Sequence, residues 1–219
     1  GTLPEVEPAR ELVRQIQSER REASEQECRD LLRYFHVPVV DLRVTHDQGE
    51  PDPDVPPMGL RFETDDKLGP YAVFGGADHA DWLSSSYPAV ELPPLNRYLA
   101  RQLVERSPLW RKSLSSQLTP LVLTQLLQVL ERLSDLMSEL PGVRRVVLDP
   151  IMAGENSLYI KSISISLSKQ SMLVLPETAG YRHMAIHPYP RHMIERRQFK
   201  DGQRWTLRPI RPEDAEASQ

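Results

Sequence analysis

One cysteine, Cys28, stands in 219 residues. A single thiol excludes an intrachain disulfide framework and a cysteine-built zinc site, and it fits a reducing, cytoplasmic compartment. No apolar run approaches the ~20 residues that a membrane-spanning helix needs, and the N-terminus lacks the basic-then-apolar pattern of a signal peptide. An excess of positive charge is missing too. The 27 Lys+Arg against 31 Asp+Glu leave a net charge of -4, whereas nucleic-acid-binding domains carry a clear basic patch. The chain holds no Gly-x-x-x-x-Gly-Lys-Ser/Thr, no Gly-x-Gly-x-x-Gly and no Gly-x-Ser-x-Gly. Those absences remove the P-loop, the dinucleotide fingerprint and the serine nucleophile elbow. No internal repeat is present.

Helical and strand patterns are interleaved along the chain. Pro8 with Leu12, Val13 and Ile16 on one face predicts a first helix, and Ser24 followed by Glu27 is a capping box that starts a second, with Leu31, Leu32 and Phe35 inward. Val37–Val40 reads as a short strand entry. Asp47–Pro57, with four prolines and four acidic residues, is a spacer with little to bury and suggests loose coupling between the helical start and the rest of the chain. Strands are predicted over 59–64 and 71–74, with Gly75-Gly76 as a permissive loop. Asn96 caps a helix to about Val104. Thr119-Pro120 opens the strongest helix, 119–139, whose stripe runs Leu123, Leu126, Leu127, Leu130, Leu133, Leu136 and Met137. Pro141-Gly142 stops it. Strands are predicted next at 143–148, 158–167 and 184–187, and a hairpin turns at Asp201-Gly202 between 193–199 and 204–210. The class is therefore α/β or α+β.

Several groups have a chemical reading beside the ordinary one. Gly69, Gly75 and Gly76 offer backbone N–H groups to a nucleotide phosphate; the ordinary and preferred reading is a tight turn. Asp149 is a candidate metal ligand, although a strand-end carboxylate before a proline commonly bonds its own backbone, and one carboxylate rarely holds Mg²⁺. His183, His187 and His192 lie near zinc spacing, but Pro188 and Pro190 break the helix that spacing needs. Glu63, Asp65 and Asp66 form an acidic cluster that reads as a solvated turn rather than a catalytic pair. The serines of 84–86 and 162–168 read as loop and strand surface. Arg191, Arg196, Arg197, Arg204, Arg208 and Arg211 make the C-terminal hairpin basic, suited to coenzyme A phosphates or to an acidic domain face.

Five segments, in order, resemble one family. Ala9-Arg-Glu-Leu-Val13 through Glu25-Gln-Glu-Cys-Arg-Asp-Leu-Leu-Arg-Tyr-Phe-His-Val-Pro-Val-Val40 is similar to the opening of the ATP-grasp domain of NDP-forming acyl-CoA synthetases. Leu68-Gly-Pro-Tyr-Ala-Val-Phe-Gly-Gly76 resembles its Phe-Gly-Pro…Gly-Gly segment, and Glu91-Leu-Pro-Pro-Leu-Asn96 its Leu-Pro-Pro-Leu-Asn helix start. Leu121–Leu140 with Val143-Arg-Arg-Val-Val-Leu-Asp-Pro-Ile-Met-Ala153 resembles the late helix and its Leu-Asp-Ile-Asn-Pro-Leu strand. Met184–Pro190, the hairpin and Leu207–Ala215 resemble the junction into a GNAT acetyltransferase domain, as in bacterial Pat-type protein lysine acetyltransferases.

That resemblance implies a partial ATP-grasp-like sandwich with a C-terminal β-hairpin, divided into a helical start (1–46), a spacer (47–57), a C-terminal ATP-grasp-like subdomain (58–180) and a junction leading into GNAT (181–219). It also exposes departures. The family's phosphate-binding lysine strand has no counterpart between the Val37–Val40 strand and the Leu68-Gly-Pro70 segment, where only the spacer and a few residues lie. Aligned on Pro150, the family's aspartate falls at Val147 and its asparagine at Asp149; the next strand's aspartate falls near Ser162. The expectation is a degenerate, non-catalytic regulatory or scaffolding segment of a bacterial acetyltransferase. It expects no cofactor in this chain, ATP/Mg or acetyl-CoA in the parent protein, and neighbouring synthetase-like and GNAT domains as partners, with no nucleic acid and no membrane. The alternatives are a domain that still binds nucleotide or acyl-CoA and assists acylation, and a free-standing interaction domain.

Overall fold

In the computed structural model, residues 3–42, 49–77, 89–168, 183–184, 195–198 and 204–207 are described. The chain divides into two units, Gly1–Ile186 and His187–Gln219.

The first unit opens with α1 (Val6–Ser18) and α2 (Glu25–Tyr34). The capping box is formed: Ser24 accepts from the Glu27 N–H, and the Glu27 carboxylate accepts from the Ser24 N–H. Ala9, Val13 and Ile16 on α1, and Cys28, Leu31 and Leu32 on α2, are buried, as their helical spacing predicts. Strand β1 (Val40–Asp41) is shorter than the expected entry strand. Next come β2 (Met58–Asp65), β3 (Gly69–Gly76), β4 (Ala89–Glu91) and α3 (Arg97–Arg106). A π-helical turn, Trp110–Leu114, runs into α4 (Ser115–Gln117). The unit continues with α5 (Pro120–Glu139), β5 (Val143–Ala153), β6 (Leu158–Ile160) and β7 (Ile163–Leu167).

These strands form one sheet in the order β1-β6-β5-β2-β3-β4, with β7 also paired to β5. The long strand β5 is its spine. Val143–Leu148 pairs with β7 and Ile151–Ala153 pairs with β6, both antiparallel, while β2 runs along the opposite edge. The single strand expected over 158–167 is thus two strands. It breaks at exposed Lys161 and Ser162, because one edge of β5 passes from one neighbour to the other there.

Period-2 alternation gives the sheet one apolar face. Met58, Leu60, Phe62, Ala72, Phe74, Val146, Leu148, Ile163 and Ile165 are buried. The α5 stripe of Leu126, Leu127, Leu130, Leu133, Leu136 and Met137 is buried with them in one core; each such side chain contributes about 1.5–3 kcal/mol on leaving water. Asn96 caps α3 by accepting from Leu99 N–H, and Thr119 caps α5 by accepting from Val122 N–H.

The described part of the acidic spacer, from Gly49, is tied down rather than loosely coupled. Asp52 N–H donates to Ala153 O at 2.8 Å, Gln117 donates to Asp54 O at 2.8 Å, and Val55 is buried. Few side chains are available to bury there, so backbone hydrogen bonds supply the attachment. Gly142, at the turn into β5, lets α1 approach closely: a Cβ there would meet Gln17 at 2.9 Å and Val13 at 3.1 Å.

In the second unit, β8 (Glu195–Gln198) and β9 (Arg204–Leu207) pair antiparallel, Glu195 opposite Leu207 and Gln198 opposite Arg204. This is the hairpin that Asp201-Gly202 predicts. Residues 185–187, where another strand is expected, lie outside the described residues.

Candidate functional site on the second face of the sheet

The sheet's other face carries some of the groups that the sequence singled out. The register lays them out in rows. Gly75 lies opposite Gly59. In the next row Val73, Arg61, Val147 and Ser164 lie side by side, and in the one after Tyr71, Glu63, Arg145 and Ser166. Beyond Val147 the register with β2 shifts, with Leu60 opposite Leu148 but Met58 opposite Ile151, so Asp149 lies in a bulge; its N–H faces Ser162 O at 3.4 Å. Of the three positions that the resemblance suggested for a metal cage, Asp149 and Ser162 meet through that contact, and Val147 pairs with Ser164 in the adjoining ladder. The apolar Val147 and the hydroxyl-bearing Ser162 stand where carboxylates were expected.

The glycines divide. Gly69 has φ +77° and closes the β2–β3 turn, where Asp65 Oδ1 accepts from Lys67 N–H at 2.8 Å and Leu68 N–H at 2.9 Å; this is the tight turn of the ordinary reading. Those two bonds pull the Asp65 carboxyl below its usual range. Gly75 and Gly76 are not in a loop. They continue β3, opposite Gly59 and Met58, because the partner strand extends far enough to pair them. Above Gly75 a Cβ would meet nothing within 4 Å, so this end of the face has room.

At the other end the space is filled by charge. Tyr71 donates its hydroxyl to Glu63 Oε2 at 2.7 Å. Glu63 Oε1 lies 3.4 Å from Arg61 Nη1 and 3.0 Å from Arg145 Nε. The Arg145 contact is an ion pair without a formed Nε hydrogen bond. The hydrogen bond to Glu63, then burial, pushes the Tyr71 phenol up to about 12. The sequence places Glu63 in an acidic turn with Asp65 and Asp66. Instead it belongs to this face, whereas Asp66 pairs with Arg144. The cluster of Glu63, Arg61, Arg145 and Tyr71 escapes a reading of the sequence because only the strand register brings it together.

His183 is spent structurally. Its Nε2 lies 3.1 Å from Met137 O, and burial lowers its pKa against the pull of the Met137 and Ser138 carbonyls. His187 and His192, the serines 84–86, and Arg191, Arg208 and Arg211 lie outside the described residues. Among the described residues, no three His, Cys, Asp or Glu side chains gather to hold a metal ion, and no helix is long and apolar enough to cross a membrane.

A sheet with α5 packed into the core on one face and charged groups on the other fits one half of a nucleotide-grasping fold. Residues 57–167 match the model of the ATP-grasp domain family. That is just over half of the 219 residues, and the chain belongs to that family. Among solved structures, it is similar to the dinucleotide-forming acetyl-coenzyme A synthetase 1 of Ca. Korarchaeum cryptofilum, in the form bound to coenzyme A and Mg-AMPPCP. The TM-score is 0.60 at 14% identity, over 73% of this chain and 100% of that one. The apo form of the same protein gives 0.59 at 13%, over 73% and 100%. PH1788 from Pyrococcus horikoshii Ot3 gives 0.61 at 11%, over 74% and 98%. At these identities the likeness is one of fold.

Proposed function

We propose that this chain is a degenerate, non-catalytic ATP-grasp module, serving as a regulatory or scaffolding segment of a bacterial GNAT-family protein acetyltransferase. One observation carries the non-catalytic part. At the metal-cage positions stand Val147 and Ser162, with Asp149 the one carboxylate among them, and the carboxylate of Glu63 is already engaged by Tyr71 and two arginines. Mg²⁺ is ordinarily held by carboxylates together with substrate phosphates. Mg-ATP, which the Ca. Korarchaeum relative holds as its AMPPCP analogue, does not fit this set of residues, and no phosphoryl transfer is assigned to them. The acetyltransferase part rests on the Leu207–Ala215 resemblance. It is tested by reading the gene past Gln219 for a GNAT pyrophosphate loop of the Arg/Gln-x-x-Gly-x-Gly/Ala kind.

Isothermal titration calorimetry of the chain with ATP and Mg²⁺ tests the non-catalytic reading. No binding is expected up to millimolar nucleotide, and tight, Mg²⁺-dependent binding would sink it. The room above Gly75 favours the second reading, a domain that still holds nucleotide or acyl-CoA and assists acylation. In that case the titration shows binding, and Asp149→Ala weakens it.

A further inference from the structure

A cavity of about 230 Å³ opens where the approach to β1 meets the first half of α5, lined by residues 37–40 together with Gln125, Ser157 and Leu158. Gln125 belongs to α5, whose stripe is buried in the core, so the cavity lies apart from the second face and its charges. It is smaller than the roughly 300–1,000 Å³ of sites for drug-sized ligands, which suits a ring system rather than a whole nucleotide. No lining side chain is charged. An ionised ligand would lose water there and meet no counter-charge, so the lining favours a neutral one.

The hydrogen-bonding character of the wall is one-sided. Its donors are spent: Val37 N–H donates to Leu32 O and Val39 N–H to Val37 O, each at 3.0 Å, and Pro38 has no N–H. Gln125 Nε2 donates to Asn156 O at 3.0 Å. That bond fixes which way the amide points, since a carbonyl only accepts. Gln125 Oε1 is left buried without a hydrogen-bond partner, and a buried acceptor in that state is costly until a donor reaches it. One turn earlier on the same face of α5, Leu121 is 51% exposed and carries the apolar lining outward.

We propose that this cavity is a binding site for a small, neutral, mostly apolar ligand of bicyclic size that bears an N–H donor. The apolar body rests on residues 37–39 and Leu158, and the N–H bonds Gln125 Oε1. The site is independent of the non-catalytic reading, because it uses neither the metal-cage positions nor the charges around Glu63.

The test is an amide-detected NMR titration of the wild-type chain with indole and with benzofuran, which share a shape but differ in the N–H. Indole should shift the backbone signals of Val39, Val40 and Leu158 and the side-chain amide of Gln125. It should bind about three- to tenfold more tightly than benzofuran, the usual worth of one neutral hydrogen bond. Gln125→Leu should bring the indole affinity down to that of benzofuran and leave benzofuran within twofold of its wild-type value. No shifts, shifts confined to other residues, equal affinities for the two compounds, or a preference that survives Q125L each overturn the proposal. The comparison of the two compounds needs no variant, so if Q125L fails to fold, the wild-type titrations decide alone.

Discussion

Tyr71 donates its phenolic proton to Glu63 at 2.7 Å, across the β2–β3 pair and away from the core. The bond favours the protonated phenol, so the folded chain holds that proton to about pH 12, above the ordinary tyrosine value near 10. The contribution to stability is therefore present below pH ~10 and is lost as pH rises toward 12. The difference between ultraviolet titrations of wild type and Y71F should show a midpoint near 12. In E63Q the same difference should fall toward the ordinary value.

His183 behaves in the opposite sense. Burial favours its neutral form, so the unfolded chain takes up the proton first and stability falls as pH drops below the ordinary histidine value near 6.5. Urea unfolding at pH 7.5 and 5.5 should show the loss, and His183→Gln should flatten it. An unchanged slope in that variant would mean that another group titrates.

The Ser24–Glu27 capping box holds a second titratable device. Glu27 accepts from Arg21 at 2.6 and 2.7 Å, and its carboxyl is pulled down to about 2, first by that hydrogen bond and then, against some burial, by the Ser24 bonds. The ionised form is favoured in the fold, so its contribution is present above about pH 4.5 and disappears as pH falls toward 2. Carbon-detected NMR titration should place Glu27 near 2 in wild type and well above that in Arg21→Ala. Ser24→Ala should cost about 1 kcal/mol, the usual worth of an N-cap, measured by urea unfolding at pH 7.

Packing gives a steeper test. Leu130 on α5 is fully buried in the core, and Leu130→Ala should cost roughly 2–5 kcal/mol through lost transfer energy and the cavity left behind. Gly154→Ala should cost about 1–3 kcal/mol by overpacking, since a Cβ there would meet Tyr159 Cε2 at 2.7 Å and Glu50 O at 2.8 Å. A Gly154→Ala chain as stable as wild type would show that the β5–β6 turn relaxes freely.

Local chemistry is readable where a few adjacent residues decide the structure. Ser24 with Glu27, Asn96, and Thr119 with Pro120 each mark a helix start that the structure reproduces to the residue. The apolar stripe of α5 is visible for the same reason: its period lies within one element. Strand β4, three residues long, is too short to show a period. The π-helical turn at Trp110–Leu114, beside buried Ser107 and with Leu114 buried, leaves no compositional mark. The strand identity of Gly75 and Gly76 is hidden because glycine suggests a turn until a partner strand is known to reach it. Val147 and Ser162 are named by the family resemblance of their own short segments. The pairing of Glu63 with Arg145 is not, since nothing local links β2 to β5.

The handover along the edge of β5 has a mechanical consequence for Asp149. This carboxylate sits where the ladder stops serving β7 and begins serving β6, bridged by long contacts of 3.4 Å from its N–H to Ser162 O and 3.3 Å from Lys161 N–H to Pro150 O. Anything gripped by Asp149 would rest on a seam between two ladders, whereas its neighbour Val147 lies within a continuous run of pairs. Amide exchange at Asp149 and Lys161 should accordingly outrun that at Val147 and Ser164.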